Sequence, residues 1–132
     1  MTRPLPKPTP ESQPYWDALK QRKLVLPLCI DCTKPHFYPR VVCPHCGSRR
    51  LEWRDASGRG TLYSFVINHR PPAWRKQEPY VIAVVELDEG PRMMTNLIGI
   101  PPDPALIRCD MPVEIVYEDV TPVVTLPQFR PI

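Results

Sequence analysis

The stretch "CIDCTKPHFYPRVVCPHC", residues 29 to 46, sets two Cys-x-x-Cys pairs ten residues apart in a chain with only one other cysteine, Cys109. Disulfides, redox dithiols and metal thiolates all use such pairs. An odd total of five cysteines, and a start "MTRPLPKPTP" without an apolar run, speak against a secreted disulfide framework and for a cytoplasmic setting where thiols stay reduced. A redox Cys-x-x-Cys normally occurs once, beside a βαβ pattern; here it is doubled in a proline-rich, helix-poor stretch. Each tight Cys-x-x-Cys turn delivers two thiolates from one loop, so two turns supply the four soft ligands that zinc takes in a tetrahedron. Cys29, Cys32, Cys43 and Cys46 are therefore the expected ligands of one zinc ion per chain. A closed shell of four thiolates leaves no position for water or substrate, which makes the expected site structural. His36 and His45 lie close by and are expected to be solvated or packed, not to ligate. Leu28, Phe37, Tyr38, Val41 and Val42 are expected to form a small core beside the knuckles that metal must reinforce.

Composition bounds what this staple can support. The chain has 132 residues, 42% hydrophobic and 23% charged, which fits one compact unit or two very small ones. No run approaches the ~18 to 20 apolar residues of a membrane helix. Twenty prolines, about 15% against a usual ~5%, disfavour long helices and favour strands, turns and stiffened tails. A net charge of +3 permits contact with nucleic acid, phosphorylated cofactors or acidic proteins and selects none of them.

Around the knuckles the chain divides into three expected segments. Residues 1–24 are a Pro-rich arm and a short helix, "PYWDALKQRK", that starts near Pro14 and carries Tyr15, Trp16 and Leu19 on one stripe. Residues 25–52 are the ribbon. Residues 53–132 read as a small β-barrel with a C-terminal tail. Its signals are Gly58 and Gly60 before a β-rich run from Thr61 to Ile67, a hairpin turning at Asp88 to Pro91, and alternation of Val113, Ile115 and Tyr117 against Glu114 and Glu118. The segment "TPVVTLPQFRPI" offers a last strand, with Pro127 and Pro131 marking an edge or tail. Four or five short strands in about 75 residues suit an OB-fold barrel, so the expected class is mainly β: a short N-terminal helix, a rubredoxin-like zinc ribbon and an OB-fold.

The order of these features resembles a bacterial and archaeal family, domain of unknown function 35, that pairs a zinc ribbon with an OB-fold and is described as acyl-CoA-associated. The likeness rests on "PYWDAL", the two knuckles, Trp53, "SGRGTLYSF", "PYVIAVVELDEGPRMMTNL" and "LPQF", and spans residues 14 to 129. One departure is "IRCDMPV", where the family tends to carry an Ile-Gly turn. The resemblance implies a non-catalytic accessory subunit, in a hetero-oligomer with a thiolase-like, hydratase or aldolase enzyme acting on acyl-CoA, that helps shape the acyl-CoA channel.

The residues themselves allow two tests of that implication. A thiolase-type catalyst needs a nucleophilic cysteine with histidine partners, and zinc leaves only Cys109, which is expected to be packed and inert. The alternative function is binding of single-stranded nucleic acid, which needs a basic groove with stacking aromatics. The loop "NHRPPAWRKQEP" is basic, but the strands that would form the platform carry Glu86, Glu114, Glu118 and Asp119. Arg70, Trp74, Arg75 and Lys76 of that loop are instead candidate contacts for a CoA phosphate or a partner. The arm 1–13 or the tail 125–132 is expected to clamp the partner, because Leu5, Phe129 and Ile132 have no evident home in ribbon or barrel.

Overall fold

The computed structural model describes residues 3–75 and 78–132. One helix, α1 (Gln13–Lys20), precedes seven strands: β1 (Leu24–Cys29), β2 (Leu51–Ala56), β3 (Arg59–Asn68), β4 (Tyr80–Leu87), β5 (Arg92–Leu97), β6 (Pro112–Asp119) and β7 (Thr125–Pro131). No helix among the described residues is long and apolar enough to cross a membrane.

Helix α1 begins where Pro14, already fixed near helical φ, occupies the first turn. It ends at Arg22, whose φ of 61° is the left-handed position usually given to glycine. The N–H groups of Arg22 and Lys23 close the last turn on the carbonyls of Leu19 and Ala18. A non-glycine residue there is disfavoured, and Arg22 is held in it by a two-pronged bond to Asp119 on β6, at 3.1 and 2.6 Å. Tyr15 and Leu19 face inward and are buried.

The ribbon is framed by an antiparallel pair, β1 with β2, in register from Leu24↔Ala56 to Cys29↔Leu51. The knuckles hang from this pair, and between them only an isolated bridge, Leu28↔Pro35, is regular. β1 is buried almost throughout, and Leu24 and Leu26 join one core with Tyr15, Leu19, Val85, Met93, Val113 and Phe129. Ribbon, helix and barrel thus pack on a common apolar centre. The expected core beside the knuckles does not form as stated: Tyr38, Val41 and Val42 are exposed, because the short interknuckle segment has no second layer to cover them.

The barrel is closed in the order β3-β4-β5-β7-β6. On β4 the alternation is complete, with Val81, Ala83, Val85 and Leu87 inside. Gly60 lets β3 approach β4: a Cβ there would lie 2.2 Å from the carbonyl oxygen of Glu86. The C-terminal segment differs from expectation. β7 is no edge or tail; it pairs with β6 from Asp119↔Thr125 to Val113↔Pro131 and meets β5 at Leu97↔Phe129. Phe129 is fully buried, while Ile132 stays exposed. The prolines fit because residues 127, 129 and 131 direct their backbone groups toward β5, where pairing is sparse. There Ile98 N–H donates to Phe129 (2.8 Å) and the Thr95 hydroxyl to the Pro127 carbonyl (3.0 Å). A missing N–H on that side forfeits almost nothing.

The arm also has an intramolecular partner. Arg3 reaches Glu118 with both guanidinium nitrogens, at 3.1 and 3.3 Å, and Thr9 and Ser12 fold the chain into α1. Leu5 sits at the border of exposure, at 36%.

Candidate metal centre

Two similar turns present the four cysteines. In the first, Thr33 N–H returns to the Cys29 carbonyl (2.8 Å) with Thr33 at φ 62°; in the second, Gly47 N–H returns to the Cys43 carbonyl (2.9 Å) with Gly47 at φ 79°. The left-handed residue is what lets each loop double back within one turn. Each first cysteine also accepts a backbone N–H on sulfur: Cys32 N–H to Cys29 at 3.5 Å, and His45 N–H to Cys43 at 3.4 Å. The N–H of Cys32 holds the Cys29 thiol down to about 7, favouring the thiolate that metals bind. Asp31 lashes the turns together, bonded to Arg50 at 2.7 Å and to the Ser48 hydroxyl.

The four sulfur atoms lie within 4.8 Å of one another. Cys29 and Cys46 are 3.5 Å apart and Cys32 and Cys43 3.7 Å, and all are free thiols. A tetrahedron with Zn–S bonds of ~2.3 Å has edges of about 3.8 Å, so the donor set fits one zinc ion and leaves no fifth place in its shell. Such an ion orders the loops and polarises no substrate. His45 is exposed on the second turn. His36 is 3% exposed, and neither ring nitrogen has a hydrogen-bond partner. Burial, aided by His45 and Arg40, pushes its pKa down, keeping the imidazole neutral.

The remaining candidates scatter. Trp74 and Arg75 share the short 3-10 turn Ala73–Arg75, where the guanidiniums of Arg3 and Arg75 lie 5.6 and 5.8 Å from the Trp74 ring centre and Arg75 stacks on Tyr80 at 4.0 Å. Arg70 is exposed, its N–H bonded to the Asn68 side chain, and it takes no part in that stack. Lys76 lies outside the described residues. Cys109 is exposed, not packed, at the turn where Asp110 adopts φ 69°. Sequence reasoning missed a cleft of about 590 Å³ between the ribbon and the β4–β5 turn, lined by Lys34, His36, Arg40, His45, Glu89 and Arg92 among others. Its two walls are some 50 residues apart in the chain, so no local signal announces it.

Two family models match, "ChsH2, rubredoxin-like zinc ribbon domain" over residues 16–52 and "ChsH2, C-terminal OB-fold domain" over residues 53–118. The chain is 42% identical over 129 residues to the "Probable enoyl-CoA hydratase alpha subunit" of Thermomonospora curvata, covering 98% of this chain and 40% of that protein. It therefore spans well under half the length of that relative. A "DUF35 domain-containing scaffold protein" of Methanocaldococcus jannaschii is 34% identical over 106 residues, 77% of this chain and 73% of the relative. Among solved structures, a chain of the "Ltp2-ChsH2(DUF35) aldolase" superposes with a TM-score of 0.85 at 40% identity, covering 96% of this chain and 98% of that one. With both halves matched in order and the four-cysteine centre in place, the chain belongs to the DUF35 family of zinc-ribbon and OB-fold proteins, the ChsH2 type.

Proposed function

We propose that this chain is a non-catalytic accessory subunit that docks on a thiolase-like, hydratase or aldolase enzyme and supports its chemistry on acyl-CoA thioesters. The observation that carries this reading is the likeness, over nearly the whole of both chains, to a component of an aldolase assembly. The side-chain chemistry agrees with it. Four of five cysteines converge on the metal centre, and the fifth, Cys109, is exposed and bonded to no base among the described residues. A closed thiolate shell offers no Lewis-acid position. Arg70, Trp74, Arg75 and Lys76 are its candidate contacts to CoA or the partner, with Arg3 extending the Trp74 stack.

Nucleic-acid binding has less support. The ring of Tyr80 is covered by Arg75 and that of Tyr117 by Arg22, and the neighbouring charges on β6 are Glu114, Glu118 and Asp119. Free faces for base stacking are what such a platform needs.

Co-purification of the tagged chain from its native host tests the proposal. The expected result is a stoichiometric acyl-CoA enzyme component, turnover only in the assembled complex, and no loss of that turnover in Cys109→Ala. Turnover by the chain alone overturns the reading, as does recovery with nucleic acid whose binding falls steeply with salt.

A further inference from the structure

The ribbon–barrel cleft gathers every buried side-chain atom among the described residues that lacks a hydrogen-bond partner. These are Nδ1 and Nε2 of His36 and Oε1 of Glu89, and both residues line it. The other carboxylate oxygen of Glu89 accepts the Ser57 N–H at 2.9 Å, so Glu89 is held in place while Oε1 stays unused. A buried polar atom left without a partner has lost its water and gained nothing in return. All three belong to residues that line one cleft, and a group bound there would supply the missing partners once these side chains turn toward it.

The cleft is two-signed. Its ribbon wall carries Lys34, Arg40 and His45 together with His36, and neither Lys34 nor Arg40 enters an ion pair among the described residues. Its barrel wall carries Glu89, and Glu86 already paired with Arg92 at 2.9 Å. A compact polyanion such as phosphate would suit the first wall and be repelled by the second. A polypeptide bearing an acidic side chain suits both, since its carboxylate and carbonyls meet Lys34, Arg40 and the His36 N–H, while its backbone N–H groups donate to Glu89. We infer that this cleft binds an acidic segment of the partner enzyme, an assignment that rests on the accessory-subunit reading above.

Two measurements test it on the full zinc-loaded chain. In the first, the imidazole of His36 is followed by NMR while a capped Gly-Asp-Gly peptide, its Asn counterpart and inorganic phosphate are added separately. Shifts confined to the cleft with the Asp peptide, and at least about fivefold weaker with the Asn peptide, are expected. Equal response to the two peptides, or response to phosphate alone, overturns the assignment. The second measures affinity for the acyl-CoA enzyme component recovered by co-purification with the tagged chain. Lys34→Glu with Arg40→Glu should weaken binding at least about tenfold and flatten its salt dependence. The exposed control Lys23→Glu, just after α1 and outside the cleft lining, should change it less than about threefold. Wild-type binding with an unimpaired double variant overturns the cleft assignment and leaves the accessory-subunit reading standing. If no acyl-CoA enzyme component binds the wild type, it is that reading which fails, and the peptide titration alone judges the cleft.

Discussion

Ribbon and barrel are built from the same chain by opposite means. The barrel closes around fully buried Leu62, Ala83, Val85, Val113 and Phe129, so its order comes from apolar area removed from water. Between residues 29 and 46 the ribbon leaves Ile30, Tyr38, Val41 and Val42 exposed and buries little besides Cys29, His36, Pro39 and Cys43. Its order comes from four thiolates converging on one ion. The two regimes meet at β1 and α1, where Tyr15 lies against Phe37 at 5.7 Å and the Trp16 indole N–H donates to the Tyr38 hydroxyl at 3.2 Å.

The largest expected effect strikes the ribbon alone. Removing zinc by chelation, or replacing Cys43 with Ser, should abolish the order of residues 30–50, because structural zinc supplies on the order of 10 kcal/mol of folding free energy. Hydrogen exchange should show protection lost there and kept in β3 to β7. Uniform loss across the chain would erase the contrast between the regions.

Next in size is the counterpart in the barrel. Phe129→Ala should cost about 3–5 kcal/mol in urea unfolding, with zinc stoichiometry unchanged in the folded fraction. A loss below about 1 kcal/mol would mean that β7 is as dispensable as its prolines make it look. Leu26→Ala sharpens the joint: at 1% exposure it should cost about 2–5 kcal/mol. It should also lower the midpoints of zinc release and barrel unfolding together. A fall in only one of the two midpoints would show that Leu26 does not join ribbon to barrel.

How much of this was legible follows the same division. The metal centre is local, written in spacings of three and fourteen residues, and all four cysteines converge as expected. Strand β4 was legible as the first arm of the hairpin that turns at Asp88 to Pro91, since a β-branched run there ends at turn residues. β1 was not, because "LVLPLC" is buried on nearly every residue and its partner β2 lies 22 residues beyond Cys29. β7 misled for a physical reason: proline signals an edge, but here it faces a sparse seam inside a closed barrel. The cleft holding His36 and Glu89 depended on tertiary packing that no pattern in either segment encodes.

The smallest expected effect concerns the clamp between α1 and β6. The side-chain bond from Arg22, with one from the Thr125 hydroxyl, holds Asp119 at about 2, below the ordinary carboxylate value of ~3.9. A lowered folded-state pKa gives stability that is complete above about pH 4 and lost as pH falls through about 2. The stability gap between wild type and Asp119→Asn should therefore be constant from about pH 5 upward and close toward about pH 2. The pair is half exposed, so the gap should be small and sensitive to salt. A gap that widens on acidification would reverse the sign and refute the clamp.

The claim on which both regimes rest is that the metal shell is closed. Zinc K-edge X-ray absorption on the purified protein tests it directly. Four sulfur scatterers at ~2.3 Å and nothing lighter in the first shell are predicted, whereas a nitrogen or oxygen scatterer at ~2.0–2.1 Å would contradict it. Such a scatterer would place a histidine or water where Cys29, Cys32, Cys43 or Cys46 should stand, and turn the staple back into a candidate centre of chemistry.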